Sequence, residues 1–216
     1  MRLEPDREIS QTGQTVGDFW VWAYSDVDTN IMRAVYAEWL VGTALGCVGG
    51  IRPSWTPWDL DYDGARVEVK STSYMPNWGR RVDGPRPHNL ARREHPESRL
   101  TKSRTFDIKA TGATLPADSA VPLGPDADYY EESEIKRRAN IYIFAYYAER
   151  DPERYSSLDV GGWRFYVLPT PELERHFGEQ ERVALSRVQA VTEEAEYGDL
   201  KAKVDAILGR GDPGDS

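Results

Sequence analysis

The sequence predicts a mixed α/β domain, and three observations carry that prediction. A helix-length apolar segment, NIMRAVYAEWLVGTAL, occupies residues 30–45. An alternating stretch of strand-forming residues folds back on itself at Asp63-Gly64. Two dense apolar and aromatic runs, ANIYIFAYYA at 139–148 and WRFYVL at 163–168, have the composition of covered strands.

Taken in chain order, residues 1–17 are polar and read as a flexible arm, and FWVWAY (19–24) reads as a strand or an extended packing segment. The helix follows, with Asp28, Thr29 or Asn30 as its cap and Gly46 as its stop. Ile31, Val35 and Leu45 with their neighbours make it apolar on most sides, so it should be largely buried. Glu38 lies in its middle, where a carboxylate needs a partner or neutralises. After the hairpin comes a long irregular, proline-rich and basic insertion at 74–132, within which TFDIK can form a short strand. Connections of that length inside a domain are functional or disordered. The later apolar run ends at Pro169, and the C-terminal part reads as helical. There Leu200, Val204, Ile207 and Leu208 form one stripe that Gly209 terminates. The expected organisation is one domain over 1–208 with a disordered tail at 209–216.

Composition narrows the function classes. The 216 residues contain no apolar run long enough to span a bilayer and no N-terminal signal-type stretch. The lone Cys47 excludes an intrachain disulfide; it fits a reducing compartment and a cytoplasmic protein, and reads as a small buried residue rather than a nucleophile. No CxxC, GxxxxGK[ST] or HExxH is present, and His88, His95 and His176 give no zinc pattern. The net charge is -9, yet residues 79–109 hold nine basic and four acidic side chains. A basic segment on an acidic body can track a phosphate backbone while the body discourages non-specific adhesion; a solvated loop is the plainer reading.

The stretch WDLDYDGARVEVKSTSY (58–74) is the most informative. Asp63-Gly64 suits a two-residue turn in which both positions need positive φ. That turn sets Tyr62 opposite Ala65, Asp61 opposite Arg66, Leu60 opposite Val67 and Asp59 opposite Glu68. One face then carries Trp58, Leu60, Tyr62, Ala65, Val67 and Val69, and the other Asp59, Asp61, Arg66, Glu68 and Lys70. Asp59 and Glu68 fall in a non-hydrogen-bonded pair with Cα atoms about 4.5 Å apart. Carboxylates that close repel unless a cation lies between them or one is protonated. Two carboxylates suffice for Mg²⁺, which leaves its other positions to water and phosphate. Lys70 lies on the same face, while Asp61 has Arg66 as a partner. A solvated structural hairpin remains the alternative, and a structural Ca²⁺ site fits poorly beside a lysine.

Asp59, followed across the turn by Glu68-Val69-Lys70, resembles the PD-(D/E)XK nuclease superfamily, in which an acid on one strand precedes an E-x-K on the next. Glu38 stands where that family often places a helical glutamate, and Trp58 stands where its name-giving proline would be. The resemblance covers roughly residues 30–73. It implies a restriction-endonuclease-like α/β (α+β) fold, a mixed sheet with an αβββαβ core flanked by helices. It further implies a metal-dependent nuclease acting on nucleic acid, DNA above all. Asp59, Glu68, the Val69 carbonyl and Glu38 would hold Mg²⁺ or Mn²⁺, and Lys70 would orient water or stabilise charge. Arg80, Arg81, Arg92, Arg93, Lys102 and Arg104 of the basic segment are the candidate phosphate contacts. A homodimer or a larger defence or repair complex stays open, as does a catalytically inactive binding or assembly module of the same fold.

Overall fold

A computed structural model describes residues 2–52, 56–74, 104–110, 136–151 and 153–210. Arg80, Arg81, Arg92, Arg93 and Lys102, His88 and His95, most of the 74–132 insertion and residues 211–216 lie outside the described residues.

The first segment corrects the expectation of an arm followed by a strand. Strands β1 (Glu8–Ile9) and β2 (Gln14–Thr15) pair antiparallel, and helix α1 (Val16–Tyr24) begins directly after them. Thr15 caps α1 through a reciprocal box: its side chain accepts from the Asp18 amide, and the Asp18 carboxylate accepts from the Thr15 amide. That local signal turns FWVWAY into helix although its composition suits a strand. The helix buries only Val16 and leaves Phe19, Val21, Trp22 and Tyr24 exposed.

Helix α2 (Asn30–Leu45) has the predicted bounds. Thr29 is its cap, accepting from the Met32 amide, and Gly46 ends it in the left-handed region at φ 73°. The inward face is Ala37, Leu40, Val41 and Leu45, whereas Ile31 is exposed and Val35 half-buried, so burial is one-sided.

The remaining elements are β3 (Leu60–Tyr62), β4 (Ala65–Ser73), β5 (Thr105–Asp107), β6 (Ile141–Tyr147) and β7 (Trp163–Pro169). Helix α3 (Thr170–Phe177), β8 (Arg182–Ala184), α4 (Leu185–Gln189), β9 (Glu194–Ala195) and α5 (Leu200–Ile207) complete the described chain. The C-terminal part is therefore not purely helical. The main sheet runs β3-β4-β6-β7-β9, parallel between β4 and β6 and antiparallel elsewhere; β5 and β8 form a separate pair. The chain is thus mixed α/β with a five-stranded mixed sheet. Among the described residues no helix is long and apolar enough to cross a membrane.

Both faces of the sheet are covered, which is why all seven residues of β6 are buried. On one face Val67, Val69, Ile143, Phe165 and Val167 pack with Leu40 and Val41 of α2 and Leu200 and Val204 of α5. On the other, Tyr142, Phe144, Tyr166 and Leu168 meet Phe106 of β5, Leu173 and Phe177 of α3, and Val183 of β8. Residues 209–210 are not part of a free tail, since Arg210 donates to the Tyr62 and Asp63 carbonyls.

Candidate functional site

The hairpin forms as its turn dictates. Asp63 and Gly64 take positive φ, 47° and 82°, and the ladder pairs Tyr62 with Ala65, Asp61 with Arg66 and Leu60 with Val67. It stops there. The Asp59 amide donates to the Val67 carbonyl at 3.0 Å, so Asp59 and Leu60 both address Val67, as in a β-bulge. A bulge shifts the preceding residue to the other face. Trp58 accordingly leaves the expected core face and lies under Arg66, whose guanidinium carbon is 4.5 Å from a Trp58 ring centroid. The Trp58 indole N–H donates to Asp61 Oδ1 at 3.0 Å, and its carbonyl accepts from the Thr56 hydroxyl at 2.7 Å.

This break positions the acid. With the Trp58 carbonyl turned away, the Asp59 carboxylate itself accepts the Val69 amide at 2.7 Å. Asp59 thus reaches the edge of β4 through its side chain instead of facing Glu68 as a ladder partner. Glu68 and Lys70 project from β4 on one face and pair with each other at 2.5 Å, both largely covered. Glu38 approaches from α2, is buried, and binds Arg52 through both oxygens, at 2.5 and 2.8 Å.

The charges of this group act on one another. Burial, followed by the neighbouring Glu68 and Glu38 carboxylates, pushes the Asp59 carboxyl up to about 7, against the opposing pull of the Val69 amide and Lys70. Burial works to lower the Lys70 pKa, but Glu68, with help from Asp59 and Asp107, outweighs it and raises it, so Lys70 is a cation at neutral pH. The Tyr142 phenol, which neighbours Glu68, is also raised, chiefly by burial. Away from the site, burial raises the half-buried Cys47 thiol, which disfavours a nucleophilic thiolate.

Asp59, Glu68, Lys70 and Glu38 therefore share one electrostatic neighbourhood, and Val69 offers its amide to Asp59. Arg104 is set apart, over the ring of Tyr74 just past the C-terminal end of β4. Arg52 binds Glu38, Tyr142 is the neighbour of Glu68 on β6, and Asp107 acts weakly on Lys70; none of the three carried a motif. Only Arg52 was inferable, since a buried mid-helix glutamate demands a cation. Among the described residues no group of three or more His, Cys, Asp or Glu side chains is gathered that could hold a metal ion. Glu38 and Glu68 are each turned to a basic partner instead. Asp59 and Glu68 still fit Mg²⁺ or Mn²⁺ as a donor set: both are hard oxygen ligands, and Asp59 carries repulsion that a cation would relieve. The chain matches no protein-family model, no curated protein and no solved structure with which it was compared.

Proposed function

We propose that the protein is a metal-dependent nuclease of the PD-(D/E)XK type acting on DNA, with a restriction-endonuclease-like core. The observation that supports this reading is the placement of Asp59. A bulge directs its carboxylate to the Val69 amide, inside the Glu68-Val69-Lys70 segment, where burial and two further carboxylates leave it short of positive charge. Solvated hairpins carry acids that are free to separate; here the Asp59 carboxylate is partly buried and held on the Val69 amide.

On this reading Asp59 and Glu68 hold the metal, which supplies Lewis-acid charge neutralisation and an activated water when bound. Lys70, kept protonated by Glu68, gives a fixed cation beside the phosphate, where developing negative charge is stabilised without reorganisation. Arg52 holds Glu38 in place through both carboxylate oxygens. A catalytically inactive binding module is the second reading, favoured by the Lys70–Glu68 and Arg52–Glu38 ion pairs, which satisfy both acids within the chain.

Plasmid and single-stranded DNA incubated with Mg²⁺, Mn²⁺ or EDTA separate the two. The nuclease reading expects cutting with either metal, none with EDTA, and loss of at least 100-fold in Lys70→Ala at an unchanged melting temperature. Equal cutting by wild type and Lys70→Ala would remove this site from the chemistry. Absence of cutting by wild type in every metal leaves the binding module as the reading.

A further inference from the structure

We propose that Arg104 and Arg150, gathered on the ring of Tyr74, form a phosphate-binding subsite for the DNA backbone just past the C-terminal end of β4, four residues along the chain from Lys70. The choice of DNA as ligand rests on the nuclease reading; the anion site rests on the following geometry. Glu68, Lys70, Thr72 and Tyr74 alternate onto one face of the strand. The Tyr74 amide donates to the Tyr147 carbonyl at 2.9 Å, extending the β4–β6 pairing and holding the ring at the strand end. Arg104, from the residue before β5, places its guanidinium carbon 4.0 Å from the ring centroid. Arg150, from the segment after β6, is 5.0 Å from the same centroid.

Two guanidiniums on one ring repel, and among the described residues neither has a carboxylate partner. The two acids adjacent to Arg150 are already engaged: Glu149 Oε1 accepts from the Arg150 and Asp151 amides and from the Arg154 guanidinium, and Asp151 pairs with Arg154 and accepts from the Glu153 amide. The Nε of Arg104 is enclosed and makes no hydrogen bond. Cation–π contact holds each arginine, no hydrogen bond from either guanidinium is made among the described residues, and forked N–H donors of this kind match phosphate oxygens. An anion contacted by both arginines would offset their like charge and accept from their N–H donors. The four residues from Lys70 to Tyr74 span about 13 Å, so one DNA backbone can reach from Lys70 to the C-terminal end of β4. The basic segment of the sequence pointed to Arg104; Arg150 lies outside it and joins only through the fold.

The test is fluorescence anisotropy of a fluorescein-labelled 20-base-pair DNA duplex with EDTA present, from about 50 to 200 mM salt. Arg150→Ala and Arg104→Ala should each weaken binding about five- to tenfold at the lowest salt and reduce the log–log salt slope by about 0.9. The Arg150→Lys variant should recover the slope but only part of the affinity, because it keeps the charge and loses the fork. Arg150 is exposed, so its alanine variant should melt with wild type even if Arg104→Ala does not fold. An unchanged slope in a normally melting Arg150→Ala overturns the subsite, as does a wild-type protein that fails to bind the duplex at the lowest salt. Binding with the expected slope loss but no metal-dependent cutting upholds the subsite and removes the nuclease reading; cutting with an unchanged slope does the reverse.

Discussion

At the scale of single residues, the two hairpin aspartates have opposite circumstances. Asp59 is largely covered, crowded by Glu68 and Glu38, and raised to about 7; Asp61 accepts a hydrogen bond from the Trp58 indole on the solvent side. Isothermal titration with Mn²⁺ should therefore show binding lost in Asp59→Asn and retained in Asp61→Asn, which forfeits a partly exposed contact of about 1 kcal/mol or less. Retention by Asp59→Asn with loss by Asp61→Asn would put the metal on the wrong acid. Asp59 also sets a pH dependence. Its folded pKa lies above the unfolded value near 3.8, so the neutral carboxyl favours the fold below about pH 4, and that advantage is lost as pH rises through about 7. Asp59→Asn removes this loss. In EDTA at pH 8 it should melt roughly 4–8 °C above wild type, for a difference on the order of 2 kcal/mol, and match it near pH 4. Parallel melting curves for the two proteins across that range would show that Asp59 is not strained.

At the scale of elements, aromatic packing behind the sheet leaves no room at one glycine. Gly162 lies in the 3₁₀ turn at Val160–Gly162 that leads into β7, and a methyl group there would collide with the ring of Tyr147. That ring is fully buried, packs on Tyr155 and Trp163 at centroid distances of 4.8 and 5.3 Å, and donates its hydroxyl to the Ser156 carbonyl. It cannot give way cheaply. Gly162→Ala should cost about 1–3 kcal/mol by urea unfolding, where the same change at an open glycine costs little. Gly198, with nothing near its missing Cβ, is the control. Equal midpoints for the two variants would mean that the β6–β7 end is looser than its contacts indicate.

At the scale of the whole molecule, α5 closes the core and α1 stands outside it. Leu200 and Val204 are fully buried against α2 and the sheet, and Asp205 accepts from the Tyr62 hydroxyl at 2.6 Å, tying the last helix to the hairpin. Leu200→Ala should lose roughly 2–5 kcal/mol, read as a lower urea midpoint at unchanged slope. Trp22, on α1, is 83% exposed, so Trp22→Ser should stay within about 0.5 kcal/mol of wild type. A cost at Trp22 approaching that at Leu200 would show that α1 is covered in solution.

Interactions within a few residues of chain were legible in the sequence alone. The Asp63-Gly64 turn, the Thr29 and Gly46 caps, the continuous apolar run of β6 and the stripe of α5 need only backbone sterics, period and burial to be read. The Thr15–Asp18 box was equally local, and it outweighs the strand-like composition of FWVWAY because a satisfied helix start commits the residues that follow. Tertiary structure decided everything that depends on where two distant segments meet. Turn geometry propagates register only as far as the ladder continues, so the bulge at Asp59, the turning of Trp58 and the capture of the Val69 amide could not be computed from the turn. Arg52 on Glu38, Asp107 acting on Lys70, and Arg150 with Arg104 on the Tyr74 ring are encounters across 14, 37 and 46 residues of chain. The candidate site's residue types were thus written in β4 and α2. Its charge balance was decided by the fold, because a carboxylate's pKa depends on what is packed against it and not on its neighbours in sequence.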